Sequence, residues 1–306
     1  MLAIVLFGRI PSHNRWASDL SNAAHGPAFA LVTLVVFALL RRSSQQKFSI
    51  VGEYSLAILI TILLGALIEL LQHFTGRDAA LVDLGTDALG ALAVAGVFLV
   101  FDSRVRESPT LVAPRRIGFV VAVVACILML APLVTTATAY LKRYLSFPTL
   151  ADFSLPLSTS FLHAGVSATV ERAELPRELQ SDERASIGVR AHLTEKTGWV
   201  VVLSEPVPDW RGYTHLNFDI ANSTDEPLVL RLRVFDQFYG RGRHSGYRGS
   251  FEIAPHSRAI QSVALTALNS GTGEARTDTS RVHSIVIARA GANRAREFYL
   301  MRIWLD

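Results

Sequence analysis

The sequence predicts an α-helical transmembrane bundle of four spans followed by an all-β jelly-roll sandwich. Of the 306 residues, 50% are hydrophobic and only 18% are charged, and the apolar excess lies in the first half. Four apolar runs there each approach the roughly 20 residues that a helix needs to cross hydrocarbon. Short segments of alternating apolar and polar residues follow, a pattern typical of antiparallel sandwiches.

The four spans are expected at about 23–40, 50–74, 81–101 and 117–140. They should be helices, because hydrocarbon offers the backbone no hydrogen-bonding partner. Residues 1–7 are apolar but too few to span. They are interpreted as a truncated fifth helix, the result of a start assigned too late, or an interfacial segment. A cleaved signal peptide is disfavoured because no basic leader precedes this run.

Charge predicts the orientation. The formal net charge is +4, and residues 1–144 carry 12 basic and 8 acidic groups whereas residues 145–306 carry 18 of each. Seven basic residues flank the spans on one side and five on the other, so the positive-inside tendency makes the first side cytoplasmic. We therefore expect a multi-pass membrane protein with the second half outside the cytoplasm. Nucleic acid is an unsuitable partner for a charge-balanced domain.

Ionisable groups concentrate where the second and third spans meet. One face of each helix carries polar or small residues at helical spacing: Glu69, Gln72 and His73 on the second span, and Asp83, Asp87 and Gly90 on the third. The short connection containing Arg77 favours an antiparallel hairpin. Three carboxylates would then surround one guanidinium, and Gly90 would allow a close backbone approach.

Charge beside a bilayer core is costly, so this cluster is the first candidate site. Glu69 is the candidate general acid or base, Arg77 the anion clamp and Asp83 its orienting partner. Supporting positions are Gln72, Asp87, Gly90 and, from the first span, His25. The alternative is a structural ion-pair network that fixes the hairpin. We expect no cofactor and no metal, because Arg77 would repel a cation.

The spacing Glu69-x-x-Gln72-x-x-x-x-Arg77-x-x-x-x-x-Asp83, continued by Asp87 and Gly90, resembles the signature of VanZ-like membrane proteins. The resemblance covers about residues 18–104. It implies a cell-envelope protein of the bacterial inner (plasma) membrane, with the second half periplasmic or extracellular. The family is associated with glycopeptide (teicoplanin) resistance. An upstream Asp-Lys-x-x-His element of that family would fall on residues 21–25, where only His25 matches, and the family's usual Asn is Asp87 here.

Residues 145–185 are expected to form a connector leading into a sandwich of about eight strands over residues 186–306. The runs 209–219, 230–236 and 299–305 resemble galactose-binding-like jelly rolls, including carbohydrate-binding modules, over about residues 150–306. Such modules often carry an Asp in the last strand where this chain has Met301. A bound calcium ion is therefore not assumed.

Two groups in the second half could bind a ligand. Flat rings that could stack on sugars are Trp210, Tyr213, Tyr239 and Tyr247. The glycine-rich loop 240–249 carries cations suited to an anionic glycan or a lipid phosphate: Arg241, Arg243, His244 and Arg248. The alternatives are that Trp210 belongs to the sandwich core and that the loop is a solvated hairpin tip.

Together the two resemblances imply an integral membrane protein that acts on or recognises surface glycan or a lipid-linked glycan precursor. The expected partners are the lipid bilayer and a saccharide. The alternative is a non-enzymatic anchor or accessory module for envelope polysaccharide assembly, with a structural cluster. A proton-coupled carrier is the weakest reading, since no inverted repeat is evident. Whether the protein is an enzyme stays open.

Overall fold

A computed structural model describes residues 14–43, 48–74, 81–181, 185–194, 196, 198–238, 246–269, 277–290 and 295–306. They form two compact units, one ending at Ala137 and the other beginning at Thr138. The first contains long apolar helices and the second a sandwich of two antiparallel sheets. The predicted fold class is therefore confirmed. Residues 1–7, interpreted as a truncated helix, lie outside the described residues.

The described residues form four long helices: α1 Arg15–Ser43, α2 Ile50–Phe74, α3 Leu81–Phe101 and α4 Val112–Ser146. Each contains a stretch long and apolar enough to cross a membrane. Many outward-facing leucines are exposed, among them Leu59, Leu63 and Leu67 of α2. Water would disfavour that exposure, whereas lipid chains accommodate it.

The helix α1 begins eight residues before the predicted span. Its first turns carry Arg15 and Asp19, which are too polar for a hydropathy signal. Both side chains contact Thr136 of α4: the Arg15 Nε donates to its hydroxyl over 3.1 Å, and that hydroxyl donates to Asp19. The polar first turns of α1 therefore contact α4, a helix that lies far along the sequence.

Glycines set the closest helix contacts. A methyl group at Gly90 of α3 would overlap the Gly26 carbonyl of α1. Similarly, one at Gly96 would overlap the Gly118 carbonyl of α4. Small residues let helix backbones approach within a bilayer, where packing rather than the hydrophobic effect drives association. Gly90 was expected to allow such an approach, and it lies against the backbone of α1.

The sandwich consists of two sheets. Its strands are β1 Thr149–Asp152, β2 Leu162–Ala164, β3 Ala168–Glu174, β4 Ile187–Leu193, β5 Trp199–Ser204, β6 His215–Asn222, β7 Leu228–Asp236, β8 Tyr247–Ile253, β9 Ser257–Ala264, β10 Val282–Arg289 and β11 Glu297–Leu305. The first sheet has the order β3-β4-β11-β6-β9, with β1 also paired to β11. The second sheet has the order β2-β5-β10-β7-β8.

The described part of residues 145–185 contains three strands, in a region that the sequence predicted to be a connector and the entry to the sandwich. They are short or exposed: β3 is an edge strand on which Ala168 is the sole buried residue. An edge strand buries little on either face, so its apolar alternation is weak. The sandwich therefore starts with β1, well before residue 186.

The core lies between the two sheets. On β7, Leu230, Leu232 and Val234 are fully buried and alternate with the outward-facing Arg231 and Arg233. This is the period of two expected for a strand with one face in the core. The same alternation therefore determines which side chains the outer face of the second sheet presents.

Candidate functional site

A polar cluster is buried among three of the apolar helices. His25 of α1 is 2% exposed, and Asp87 of α3 is 1% exposed. From α2 come Glu69 and Gln72, at 7% and 3%. The spacing of three that predicted a shared face for Glu69 and Gln72 holds in α2, and both side chains are buried. The structure thus brings together the predicted positions His25, Glu69 and Asp87 and buries Gln72 one turn from Glu69 on α2.

Contacts within the cluster centre on Asp87. Its Oδ1 lies 3.2 Å from the His25 Nδ1, whereas its Oδ2 is buried and has no hydrogen-bond partner among the described residues. Space for this carboxylate comes from Gly65 of α2, where an added Cβ would lie 3.0 Å from Oδ2. Gly65 was not among the residues predicted from the sequence, since a glycine inside an apolar helix carries no signal of its partner.

The same residues offer a possible set of metal ligands. His25, Glu69 and Asp87 each contribute one ligand atom, and these atoms lie within 4.8 Å of one another. Imidazole nitrogen together with carboxylate oxygen suits several divalent cations. The sequence analysis expected no metal because of Arg77, whose position lies outside the described residues, and Asp83 is half-buried and not part of this trio.

Two side chains of the predicted cluster lie outside the part of the chain that the structure describes. Arg77 belongs to residues 75–80, which lie outside the described residues, as does the side chain of His73. The anion clamp and the three-carboxylate arrangement around a guanidinium therefore remain predictions from the sequence. Asp83, the proposed orienting partner of Arg77, stands in the first turn of α3.

A second charged network lies at the opposite ends of the helices, about 24 Å along α2 from Glu69 at 1.5 Å per residue. The buried carboxylate of Glu53 accepts a hydrogen bond from Arg41 over 2.7 Å and one from Arg104 over 3.0 Å. Asp102 accepts from the same two guanidinium groups, over 2.7 and 2.9 Å. Two cations and two anions balance, so this network is suited to joining α1, α2 and the end of α3.

The sequence did not predict this network, because Arg41 and Arg104 are two of the seven basic residues that flank the spans on one side, where such charges predict orientation. The available signal was Glu53 in an otherwise apolar run and Asp102 at the end of another. Burial alone would raise the pKa of Asp102. However, hydrogen bonds from Arg104 and the nearby charges hold the pKa of this carboxyl below its ordinary value. Asp102 is thus ionised at neutral pH.

In the sandwich, the predicted sugar-stacking residues differ in how far they are buried. Trp210 is completely buried, and its indole N–H donates to the Val207 carbonyl over 2.7 Å. We therefore correct its expected ligand-binding role, because neither ring face is open to solvent. Tyr213 is half-buried, with its ring edge-on to Phe147 at 5.2 Å between centroids. Tyr247 of β8 is also half-buried, and this burial raises the pKa of its phenol.

The predicted basic loop is only partly described. Arg248 is exposed on β8. Arg241, Arg243, His244 and Tyr239 lie outside the described residues. The loop's role in binding an anion therefore stays a prediction, and Arg248 is the one member whose surroundings are known.

A cavity of about 300 Å³ lies between the last turns of α4 and the start of the sandwich. Arg143 in its wall is buried, stacks 3.5 Å from the centre of the Phe161 ring, and donates to the carbonyls of Ser204 and Glu205. The Arg143 guanidinium is therefore occupied by contacts within the fold. Lys142, in the same wall, is an exposed cation.

No protein-family model and no curated protein sequence matches this chain. The resemblance to VanZ-like proteins therefore rests on the spacing of its residues alone. Several solved structures are similar to part of the chain. An exo-beta-agarase is 17% identical with a TM-score of 0.40, and the match covers 52% of this chain and 24% of that one.

Two further structures match as separate modules. A family 11 carbohydrate-binding module from Clostridium thermocellum, solved with a β-1,3-1,4-mixed-linked tetrasaccharide, is 18% identical, with a TM-score of 0.35 over 47% of this chain and 86% of that one. A xylan-binding domain of family 22 is 12% identical, with a TM-score of 0.33 over 50% and 90%. Likenesses this distant say nothing about what this protein binds.

Proposed function

We propose that this chain is an integral membrane protein of the bacterial envelope that recognises a glycan-bearing lipid or a surface glycan. The observation that carries the proposal is the buried cluster of His25, Glu69, Gln72 and Asp87 among apolar helices. Polar and ionisable groups are costly inside a membrane protein, and those retained there usually face a ligand, an ion or one another.

The chemistry of the cluster suits a hydroxyl-rich headgroup. Asp87 Oδ2 has acceptor capacity that no described residue uses, and a sugar hydroxyl is a donor of the right kind. The amide of Gln72 can both donate and accept. If a reaction occurs, Glu69 is the proposed acid or base, with the His25–Asp87 pair beside it. Arg77 is proposed as the anion clamp and Asp83 as its orienting partner.

The sandwich is proposed to face the periplasm or the exterior and to recognise a saccharide. Its orientation follows from the positive-inside count, and the resemblance to galactose-binding-like modules supports sugar recognition. The VanZ-like spacing supports an envelope role connected with glycopeptide susceptibility.

Glu69→Gln and Asp87→Asn test the membrane site, because both substitutions preserve side-chain shape. The matched control is Leu70→Ala, on the outward face of α2 beside Glu69. We expect both site variants to reach the membrane at normal levels and to change teicoplanin sensitivity and the envelope glycan profile, while the control changes neither. Unchanged phenotypes in two well-expressed site variants would refute the proposal.

The alternative is a non-enzymatic anchor or assembly module in which the cluster is structural. One observation favours it: the His25–Asp87 contact joins the same two helices as the neighbouring Gly26–Gly90 contact. The double variant Glu69→Gln, Asp83→Asn separates the two readings. Loss of the folded protein supports the structural role, whereas a stable protein with altered glycan phenotypes supports the site.

A further inference from the structure

Three arginines lie side by side on the outer face of the second sheet. Arg231 and Arg233 project outward from β7, between core residues. Arg248 of β8 is the direct cross-strand partner of Arg233. Directly paired residues of an antiparallel sheet point to the same face, so the two guanidinium groups share one surface.

This pairing is unfavourable unless something negative occupies the surface, because like charges directly opposite each other destabilise a sheet. Among the described residues, no ion pair involves Arg231, Arg233 or Arg248. Other cations of the same unit do have carboxylate partners. Arg258 makes two hydrogen bonds to Asp219, of 2.9 and 2.7 Å. Within the described part of the unit, the three arginines therefore share one face of the second sheet without a carboxylate that neutralises them.

The arginines surround an open cavity of about 290 Å³. Its lining residues are Arg231, Leu232, Arg233, Arg248, Gly249 and Ser250. Gly249 contributes no side chain between the two strands, and Ser250 adds a hydroxyl opposite Arg231. A carboxylate or sulfate in this cavity would meet several donors at once.

An exposed aromatic ring lies in the same row of the sheet as Arg231, with β10 between them. Trp199 of β5 and Arg231 of β7 both pair with Ala288 of β10, which places them in one row across the sheet. The Trp199 ring is 6.4 Å from the ring of Phe235 between centroids. Trp199 remains 38% exposed, so part of an apolar ring stays open to solvent two strands away from the basic residues of β7.

We infer that this face binds an acidic saccharide, one that carries carboxylate or sulfate groups. The planar guanidinium fork matches a carboxylate or sulfate bidentately, and an exposed indole suits the apolar face of a sugar ring. Nucleic acid is disfavoured by the equal numbers of acidic and basic residues after residue 144. The inference rests on the proposed saccharide recognition by the sandwich and specifies its ligand class.

The test uses full-length protein in phosphatidylcholine nanodiscs, so that the lipid contributes no net charge. Binding of an oligogalacturonate and of a neutral mixed-linkage glucan oligosaccharide is measured by calorimetry. We expect the oligogalacturonate to bind, with an affinity that falls as salt rises. Arg233→Gln and Arg248→Gln should each weaken it about tenfold, roughly the loss of one charge-assisted hydrogen bond.

The matched control is Arg211→Gln, which removes the same charge from an exposed arginine outside this face. It should leave the affinity unchanged, and equal thermal midpoints should show that all variants are folded. Equal weakening by Arg211→Gln would overturn the inference, since the effect would then be net charge alone.

The remaining outcomes separate the inference from the proposed function. Binding of the neutral oligosaccharide alone overturns the acidic ligand class and leaves saccharide recognition intact. Binding of neither overturns both. Anionic phosphatidylglycerol vesicles are the last probe: if Arg233→Gln weakens vesicle binding and not oligogalacturonate binding, the surface serves lipid phosphate and the inference fails.

Discussion

Replacing Asp87 and His25 by alanine, singly and together, measures what holds α1 to α3. Both side chains are at least 98% buried, and their contact of 3.2 Å joins Nδ1 to Oδ1. Removing either partner leaves the other buried without this hydrogen bond. Such an orphaned group costs about 1–3 kcal/mol, so each single variant should lose about 2 kcal/mol of its free energy of unfolding.

The double variant shows whether His25 and Asp87 are coupled as strongly as a hydrogen bond or as strongly as a buried ion pair. A hydrogen bond inside a membrane protein contributes about 0.6 kcal/mol on average and about 1.7 kcal/mol at most, whereas breaking a buried ion pair costs about 3–5 kcal/mol. The 3.2 Å separation is longer than the roughly 2.7–2.9 Å of charge-assisted bonds. We therefore expect a coupling free energy near 1 kcal/mol, with the double variant less destabilised than the sum of the singles.

The assay is unfolding of the purified full-length protein in detergent micelles by increasing dodecyl sulfate, followed by helical circular dichroism. Thr86→Ala is the control on α3, since among the described residues the Thr86 hydroxyl donates to the Val82 carbonyl of its own helix and to no group of α1. Its effect should remain within about 0.5 kcal/mol. Strictly additive losses would refute the reasoning, and a coupling above about 3 kcal/mol would show an ion pair instead.

Three further predictions concern packing. Gly90→Ala should destabilise the helical unit by about 1–3 kcal/mol, because the new methyl group meets the Gly26 backbone; Gly85→Ala on the same helix, where nothing lies within 4 Å, should stabilise it by up to about 1 kcal/mol. Glu53→Ala should cost about 1–3 kcal/mol, less than a fully buried pair because its two arginine partners are 36% and 44% exposed. Trp210→Ala should cost the sandwich about 3–5 kcal/mol by removing a fully buried ring. All three are read from unfolding midpoints.

Each of these predictions has an outcome that contradicts it. Equal effects of Gly85→Ala and Gly90→Ala would show that helix propensity, not the close contact with α1, determines the result. A Glu53→Ala protein as stable as the unmodified chain would mean that the charged network around Glu53 and Asp102 does not contribute to the stability of the helical unit. For Trp210→Ala, weaker saccharide binding in a protein of normal stability would restore the ligand-binding role that its burial argues against.

The four helices were predictable because length and hydropathy alone identify a span. The true start of α1 was not, because its polar first turn contacts Thr136, more than a hundred residues away in the sequence. The β3 strand escaped detection for a related reason. An edge strand with little burial leaves almost no alternation to read, and its existence depends on the register with β4.

The candidate site was likewise predictable only in its local part. Helical spacing predicted that Glu69 and Gln72 share a face, since that is a local property. Which helix meets which is not local, so neither the role of Gly65 nor the closeness of His25 to Asp87 could be derived, although His25 was suggested as a member. Trp210 shows the limit for aromatics, because in a loop no periodicity tells whether the ring turns inward.

The strand β11 pairs with β1, β4 and β6, and so occupies the middle of the first sheet. During synthesis, the residues up to 296 therefore emerge before the strand that joins them is available. All four apolar helices will have left the ribosome by then, while the partner strands await residues 297–305. Until translation reaches that point, the first sheet lacks its middle strand, and premature stop codons upstream of β11 should yield protein that proteases remove.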